Sequence, residues 1–449
     1  MTKKLVVIVL ILAMTSTLFA GCTKKEEAAS DNTTDIKTEE KAEEKTEDET
    51  ADTAETTEVS DEKVEINYMT FSAGPDHIED LESIINAFET ENNNIKVNYE
   101  ILSWDSYFTR LQTLVAGGTA PDTFELNYEN FITYASNNTL LSLDDMIAED
   151  NVDMSVYNQK ALEAFKQKGE QFGLVESFSN VVLFYNKELF DNAGLEYPQP
   201  DWTWEDELNA AEALTDEANG IWGTYSPVQF WEFYKTIAQN GGAIFNEDKT
   251  EVVINSPENV ETLQWMIDKV EKYHVTPSMD QMSGQTDGDL FVGGKIAMLR
   301  TGIWMFDAFM DAPFEWDIAL EPGNTQKAHH FFANGVVVSS ETEQPEASWK
   351  WIQFLTSSDF ATQIRVDTGW ELPAVENDTV LEGYLSKEVP ASREVVFEAL
   401  NSLVVPPVVE GWNLVTDAIG EQLTLASLGE KTAQEALDDA KVILEDIIQ

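Results

Sequence analysis

The sequence predicts an α/β protein built as two lobes. Three observations carry that reading. Strand-like and helix-like segments alternate from about residue 64 to the C-terminus, and 449 residues exceed one ordinary domain. An apolar fraction of 43%, with 12 Trp and 23 Phe, can fill sizeable cores.

Residues 64–71 (VEINYMTF) are β-branched and aromatic, the composition of a strand. Ile78, Leu81, Ile84, Ile85 and Phe88 then recur at helical spacing, and Asp76 with Glu79 three residues on fits a capping box. Ile95, Val97, Tyr99 and Ile101 alternate as a second strand. A helix from about Trp104 through Tyr107, Leu111 and Leu114 stops at Gly117-Gly118, before a short strand at 123–126. This β-α-β-α-β order predicts a parallel sheet with right-handed crossovers. Beyond Gly173, strands are expected at 181–185, 221–225, 296–300, 316–320 and 336–339, the last followed by a helix to about Thr356. Thr203 caps a helix over 204–214, another helix ends at Gly241-Gly242, and Ser256-Pro257 opens one in the cap-then-proline order. Thr432 to Glu435 is a capping box for the last helix.

The N-terminus reads as an export signal. Lys3 and Lys4 precede an apolar run over 5–20, too short to span a bilayer comfortably. It ends Leu18-Phe19-Ala20-Gly21-Cys22, and Cys22 is the only cysteine of the chain, so no internal disulfide is available. Residues 1–21 are the expected signal peptide. Residues 23–63 hold 16 acids, six lysines and no aromatic, too little apolar surface to offset the entropy of ordering. Residues 22–63 are therefore expected to be a disordered acidic tether. The net charge of −56 resides mostly in the remaining body; it excludes a general nucleic-acid binder and gives a solvated acidic surface.

Catalytic and cofactor motifs fail one by one. Residues 288–295 (GDLFVGGK) lack the lysine and the hydroxyl of a phosphate loop at the required places. No dinucleotide glycine motif follows the first strand, no Gly-x-Ser-x-Gly elbow occurs, and His329-His330 lack the spacing that brings two imidazoles to one metal. No catalytic residue, cofactor or metal is assigned, and the chain is read as a binding protein, not an enzyme. Aromatic residues beside polar ones are abundant instead: Trp104, Tyr128, Trp202, Trp204, Trp231, Trp304, Trp370 and Trp412 lie near turns or helix starts. An indole face suits the C–H face of a pyranose, with amides and carboxylates for its hydroxyls; core packing is the alternative use.

Several segments resemble the family 1 extracellular solute-binding proteins, the maltose-binding-like group that feeds sugar ABC transporters. Ala116 to Asp122 resembles the AGGTAPD turn. Tyr185-Asn186-Lys187-Glu188-Leu189-Phe190, Ala193-Gly194 and 204–208 (WEDEL) resemble its YNKDLF…AG…TWDEL block. Residues 294–298 (GKIAM) with Gly302 and Trp304 resemble GKaAM…G.W, and 368–374 (TGWELPA) resembles TG.lPa, with Trp370 and Glu371 where shorter forms are usual. Residues 18–22 resemble the lipobox, which implies lipidation of Cys22 and a mature protein anchored on the outer face of the cell membrane.

The resemblance implies a two-lobe, type II periplasmic-binding-protein-like fold with the ligand between lobes that close on a hinge. Crossings are expected near 173–181, near 331–335 and after Pro373, giving an N-terminal lobe of 64–171 and 334–373 and a C-terminal lobe of 172–333 and 374–449. Carried over by motif position, ligand contacts are expected from Ser72, Asp76, Asn127, Tyr128, Ser179 and Asn180, with Trp231, Trp304, Trp412 and Trp370 as stacking platforms. Asp76 could equally be a helix cap, and Glu125 stands where many members have an aromatic. The implied partners are a carbohydrate, a mono- or oligosaccharide, and the permease of an ABC importer, with the binding protein a monomer. A polyamine or glycerol phosphate on the same fold, or a surface-glycan hydrolase, are the competing readings.

Overall fold

The first lobe is built as the periodicity requires. In the computed structural model, which describes residues 63–74, 76–375 and 378–448, strand β1 (Val64–Thr70) pairs in parallel with β2 (Ile95–Ile101) in the register Val64↔Ile95 to Thr70↔Ile101. On its other side β1 pairs in parallel with β3 (Thr123–Asn127) through Tyr68↔Thr123. The signal peptide, Cys22 and nearly all of the tether lie outside the described residues. Helices α1 (Ile78–Glu91) and α2 (Trp104–Ala116) make the two crossovers, and α1 buries Leu81, Ile84, Ile85 and Phe88, the stripe seen in the sequence. The start of α1 departs from expectation. His77 holds the cap position without a side-chain cap bond, its Nδ1 lying 2.9 Å from Asp80. Asp76, exposed and one residue outside, is not the cap. Helix α3 (Tyr128–Ser136) follows β3 directly.

Strand β4 (Gly173–Ser179) and strand β5 (Val181–Asn186) are separated by Asn180 alone, yet they belong to different sheets. Helices α4 (Trp204–Leu214), α5 (Phe230–Gln239) and α6 (Pro257–Glu271) lead to β6 (Met298–Gly302) and β7 (Trp316–Ala319). These two flank β5 in an antiparallel three-stranded sheet. The chain returns through β8 (His329–His330) into β9 (Phe332–Val338), then α7 (Pro345–Ser357), α8 (Asp359–Thr368) and β10 (Leu372–Pro373). The first sheet therefore has six strands in the order β10-β4-β9-β3-β1-β2. A short β11 (Leu403–Val404) pairs with β8, and α9 (Trp412–Ser427) and α10 (Ala433–Ile447) close the chain.

Two features depart from the sequence reading. Strand β4 bonds to β9 and β10, so residues 173–179 belong to the first sheet although the lobe boundary was expected at 172, and the chain passes to the second sheet at Asn180, inside the crossing expected near 173–181. Residues 221–225 are not a strand and make only isolated bridges, Trp222↔Ile296 and Tyr225↔Leu299. The segment runs beside 295–300 with backbone bonds at Trp222 and Tyr225, but the Thr224 amide goes to the Val275 carbonyl and interrupts the ladder; Gly223 lies against α4, where a Cβ would fall 2.0 Å from the Ala211 carbonyl oxygen.

One apolar core spans the first sheet and continues through Phe331 and Ala333 to Phe184, Phe306 and Trp316 beside the second. Another gathers Phe230, Phe233, Leu263, Trp412, Val415 and Leu437 from α5, α6, α9 and α10. The caps read from sequence are in place: Thr203 with Asp206, Ser256 with its Pro at the first helical turn, and Thr432 with Glu435. Each satisfies helix-end amides and contributes about 1 kcal/mol.

Candidate ligand-binding site

The sheet topology gathers the polar residues singled out in the sequence. Strands β1, β3 and β4 run in the same sense, because β9 is antiparallel to both β3 and β4. Their C-terminal ends, with the starts of β9 and β10, therefore share one edge of the sheet. Along that edge stand Ser72, Asn127, Tyr128, Ser179, Asn180, Phe332 and Glu371. The C-terminal edge of a parallel arrangement is where open α/β sheets present ligands with loop amides and side chains.

Asn127 is nearly buried and caps α3, accepting from the Asn130 amide; its Nδ2 donates to Glu129 at 2.5 Å. Burial raises Glu129 to about 7, and hydrogen bonding from its own backbone and from Asn127 offsets only part of that. Tyr128 is partly buried and packs against the core that holds Trp231 and Phe230. Ser72 donates its amide to Glu125 Oε2 at 3.1 Å, as Phe71 does. Ser179 faces Phe332 across β4 and β9. Asn180 is fully buried, donates to the Val396 carbonyl at 2.8 Å and accepts from the Ile303 amide, so it pins the changeover from both sides. Asp76 lies exposed just before α1, in the same loop as Ser72.

The aromatic candidates divide. Trp231, on the first turn of α5, and Trp304, just after β6, both meet Phe332 edge to face, at 6.0 and 5.6 Å. His330 stacks on the same Phe332 ring at 5.0 Å. Trp304 stays 41% exposed and lies over Gly302, where a Cβ would fall 2.0 Å from the indole, so only glycine lets that ring sit there. Trp370 and Trp412 offer no open face. Trp370 is 3% exposed, with His77 stacked on it at 5.0 Å and the Arg365 guanidinium 4.1 Å from its centroid. Trp412 is 2% exposed and packs edge-on to Phe230 inside the helical core. Phe332 was missed in the sequence, although it falls inside the expected second crossing, in the run His329-His330-Phe331-Phe332. The two histidines are held neutral by burial, His329 at about 3 and His330 well below its usual value. They are spent on hydrogen bonds to Ser402, the Glu321 amide and Tyr234.

Polar residues form a row behind the rings. Asn334 on β9 faces Asn127 on β3 and Ser177 on β4. Asn334 and Ser177 both donate to Glu371, which opens β10. Aromatic surface on one side and amides, hydroxyls and a carboxylate on the other make a surface that binds without a reactive group.

This is the architecture of a two-lobe solute-binding protein. The family model of bacterial extracellular solute-binding proteins matches residues 74–361, and the chain belongs to that family. Among solved structures, the ABC substrate-binding protein Lmo0181 of Listeria monocytogenes in complex with cycloalternan is 50% identical, with a TM-score of 0.83 over 86% of this chain and 98% of that one. The cyclic α-maltosyl-1,6-maltose binding protein of Arthrobacter globiformis shares the fold at 21% identity, with a TM-score of 0.71 over 86% of this chain and 99% of that one. The maltodextrin-binding protein MdxE of Bacillus subtilis is 22% identical over 392 residues, 85% of this chain and 90% of that protein.

Proposed function

We propose that this protein captures an oligosaccharide between its two lobes and hands it, chemically unchanged, to the permease of an ABC importer. The observation that carries the reading is the ring group on Phe332. Trp231 and Trp304, from the second lobe, converge on a residue of the first sheet at the place where the chain passes between lobes. An open indole beside a row of hydrogen-bonding side chains fits a neutral, hydroxyl-rich ring better than a small ion. The half-identical Listeria relative, solved with cycloalternan, makes that glycan the first ligand to test. Contacts from both lobes would favour the closed state, with the hinge at Asn180 and 329–331. Residues 64–179 and 332–373 then form the first lobe, and most of the rest the second. The protein acts as a monomer, tethered by a lipid on Cys22 outside the cell, and catalyses no covalent step.

Calorimetric titration of the soluble body, from Lys63 onward, tests this with cycloalternan, maltotetraose and spermidine. Saturable glycan binding, without any product on chromatography, is the expected result. Spermidine heat with no glycan heat would replace the sugar by a polyamine, and released glucose would revive the hydrolase. Trp304→Ala should weaken glycan binding at least ~10-fold while leaving the melting temperature within about 2 °C, because the ring is half in solvent. For the anchor, Cys22→Ser should abolish labelling by radioactive palmitate in cells.

A further inference from the structure

The segment that follows α8 carries a carboxylate to the ligand edge. Gly369 ends α8 in the left-handed conformation, at φ +74°, and turns the chain back. Trp370 then plugs into the first lobe against His77 and Arg365, and Leu372 pairs with Phe178 on β4. Glu371 is held between these two anchors. Its Oε2 accepts from Ser177 and, at 3.2 Å, from Asn334, while Oε1 has only a 3.5 Å approach from Asn334. Ser177 and Asn334 lie in the row that continues to Asn127. Glu125 and Glu176, the other two carboxylates of this lobe nearby, are sealed inside, whereas Glu371 keeps part of its surface open.

We propose that Glu371 is a specificity-determining residue of the glycan site: its carboxylate accepts hydrogen bonds from a pair of neighbouring sugar hydroxyls, and so selects ring units that leave such a pair free. The proposal rests on the glycan-capture reading. Two hydroxyls on adjacent carbons present two donors at a spacing that one carboxylate can accept together, and an ionised acceptor binds them more strongly than an amide oxygen does. Burial raises Glu371 to about 7, with Glu125 adding to the rise while Ser177, Arg365 and Asn334 oppose it. The groups facing it are thus Ser177 on β4, Asn334 on β9, Glu125 on β3 and Arg365 on α8, with Glu176 beyond the guanidinium. A neutral glycan has no charge to titrate, so any dependence of its affinity on pH belongs to the protein.

Calorimetry with cycloalternan from pH 5.5 to 8.5, on the wild type and Glu371→Gln, tests this, with melting temperatures measured alongside. The wild type should tighten about 10-fold as pH rises through 7 and the carboxylate forms. Glu371→Gln, nearly isosteric, should match the wild type at pH 5.5, bind about 10-fold more weakly at pH 8.5 and show a flat profile. If it does not fold, Glu371→Asp supplies the same readout, with a weakened but still pH-dependent affinity. A purely structural role would lower the melting temperature and leave the pH profile of affinity in place. Wild-type binding with an unchanged affinity or profile in the variant overturns this proposal alone. Failure of the wild type to bind any glycan at any pH overturns the capture reading and this one with it.

Discussion

The two lobes bury charge in opposite balance. In the second lobe Arg300 and Lys235, both fully enclosed, meet Glu207, Glu232 and Glu321, and Lys269 lies close by. Burial alone would raise Glu232, but Lys235 and Arg300 pull it down to about 2. Glu207 is likewise lowered, burial being outweighed by Arg300 and Lys269. In the first lobe Glu125, Glu176 and Glu371 surround one guanidinium, Arg365. There burial wins: Glu176 is raised to about 8 and Glu371 to about 7, although Arg365 touches Glu176 directly. Among buried carboxyls, Glu207 and Glu232 are lowered where several cations lie within reach, Glu321 beside the same cations is still raised by burial and by Glu232, and the first-lobe carboxyls, with one guanidinium between them, are raised. The second lobe's network ties β6 to α4 and α5, whereas the first lobe's surplus carboxyl stands at the ligand edge.

The largest expected effect breaks the balanced side. Arg300→Leu leaves three buried carboxylates facing Lys235 and Lys269, and should cost about 3–5 kcal/mol in urea unfolding. Arg365→Leu should cost less, and its cost should shrink from pH 8 to pH 5.5 as the carboxyls around it take up protons. Equal, pH-independent losses for the two variants would refute the contrast.

Next in size is the pH dependence of stability. The raised values of Glu176, Glu371 and Glu129 mean that the native state holds protons which the unfolded chain releases above about 4.5. Their contribution is fullest at low pH and is lost as pH rises through about 7 to 8. His329 and His330 act in the other direction, since the unfolded chain takes up protons on them below about 6.5 while the native state does not. The melting temperature should therefore rise as pH falls from 8.5 towards 6.5 and level or reverse below that. Calorimetry on Glu176→Gln and Glu371→Gln together should flatten the alkaline limb only. The smallest effect concerns the helix starts, which also differ between lobes. Thr203→Ala removes a full capping box in the second lobe and should cost about 1 kcal/mol by chemical denaturation. The uncapped start of α1 in the first lobe has no such bond to lose.

Much of the fold was legible where the signal is local. The α1 stripe, the β1-α1-β2-α2-β3 order and the caps at Thr203, Ser256 and Thr432 all follow from side chains within a turn or two of one another. Asp76 was misread as a cap because a one-residue offset at a helix start is invisible to spacing rules. The strand expected at 221–225 is reduced to isolated bridges because the Thr224 amide bonds to the Val275 carbonyl, a tertiary contact. The polar residues expected from motif position stand near one edge of the first sheet, but exposure separates the rings. Trp231 and Trp304 converge on Phe332, while Trp370 and Trp412 are enclosed. Nothing local distinguishes those tryptophans, since each sits at a turn or a helix start.

The residues alone determined many of the elements and their order, the absence of familiar catalytic motifs and the supply of aromatic side chains, because periodicity and capping are written within a few neighbouring positions. Only the tertiary structure decided that β4 joins the first sheet, that Phe332 is the point where rings from the other lobe meet, and that the Glu371 carboxyl is raised while that of Glu232 is lowered. Those outcomes depend on groups far apart in the chain, and a strand's register or a carboxyl's ionisation is set by whichever neighbours the fold brings to it.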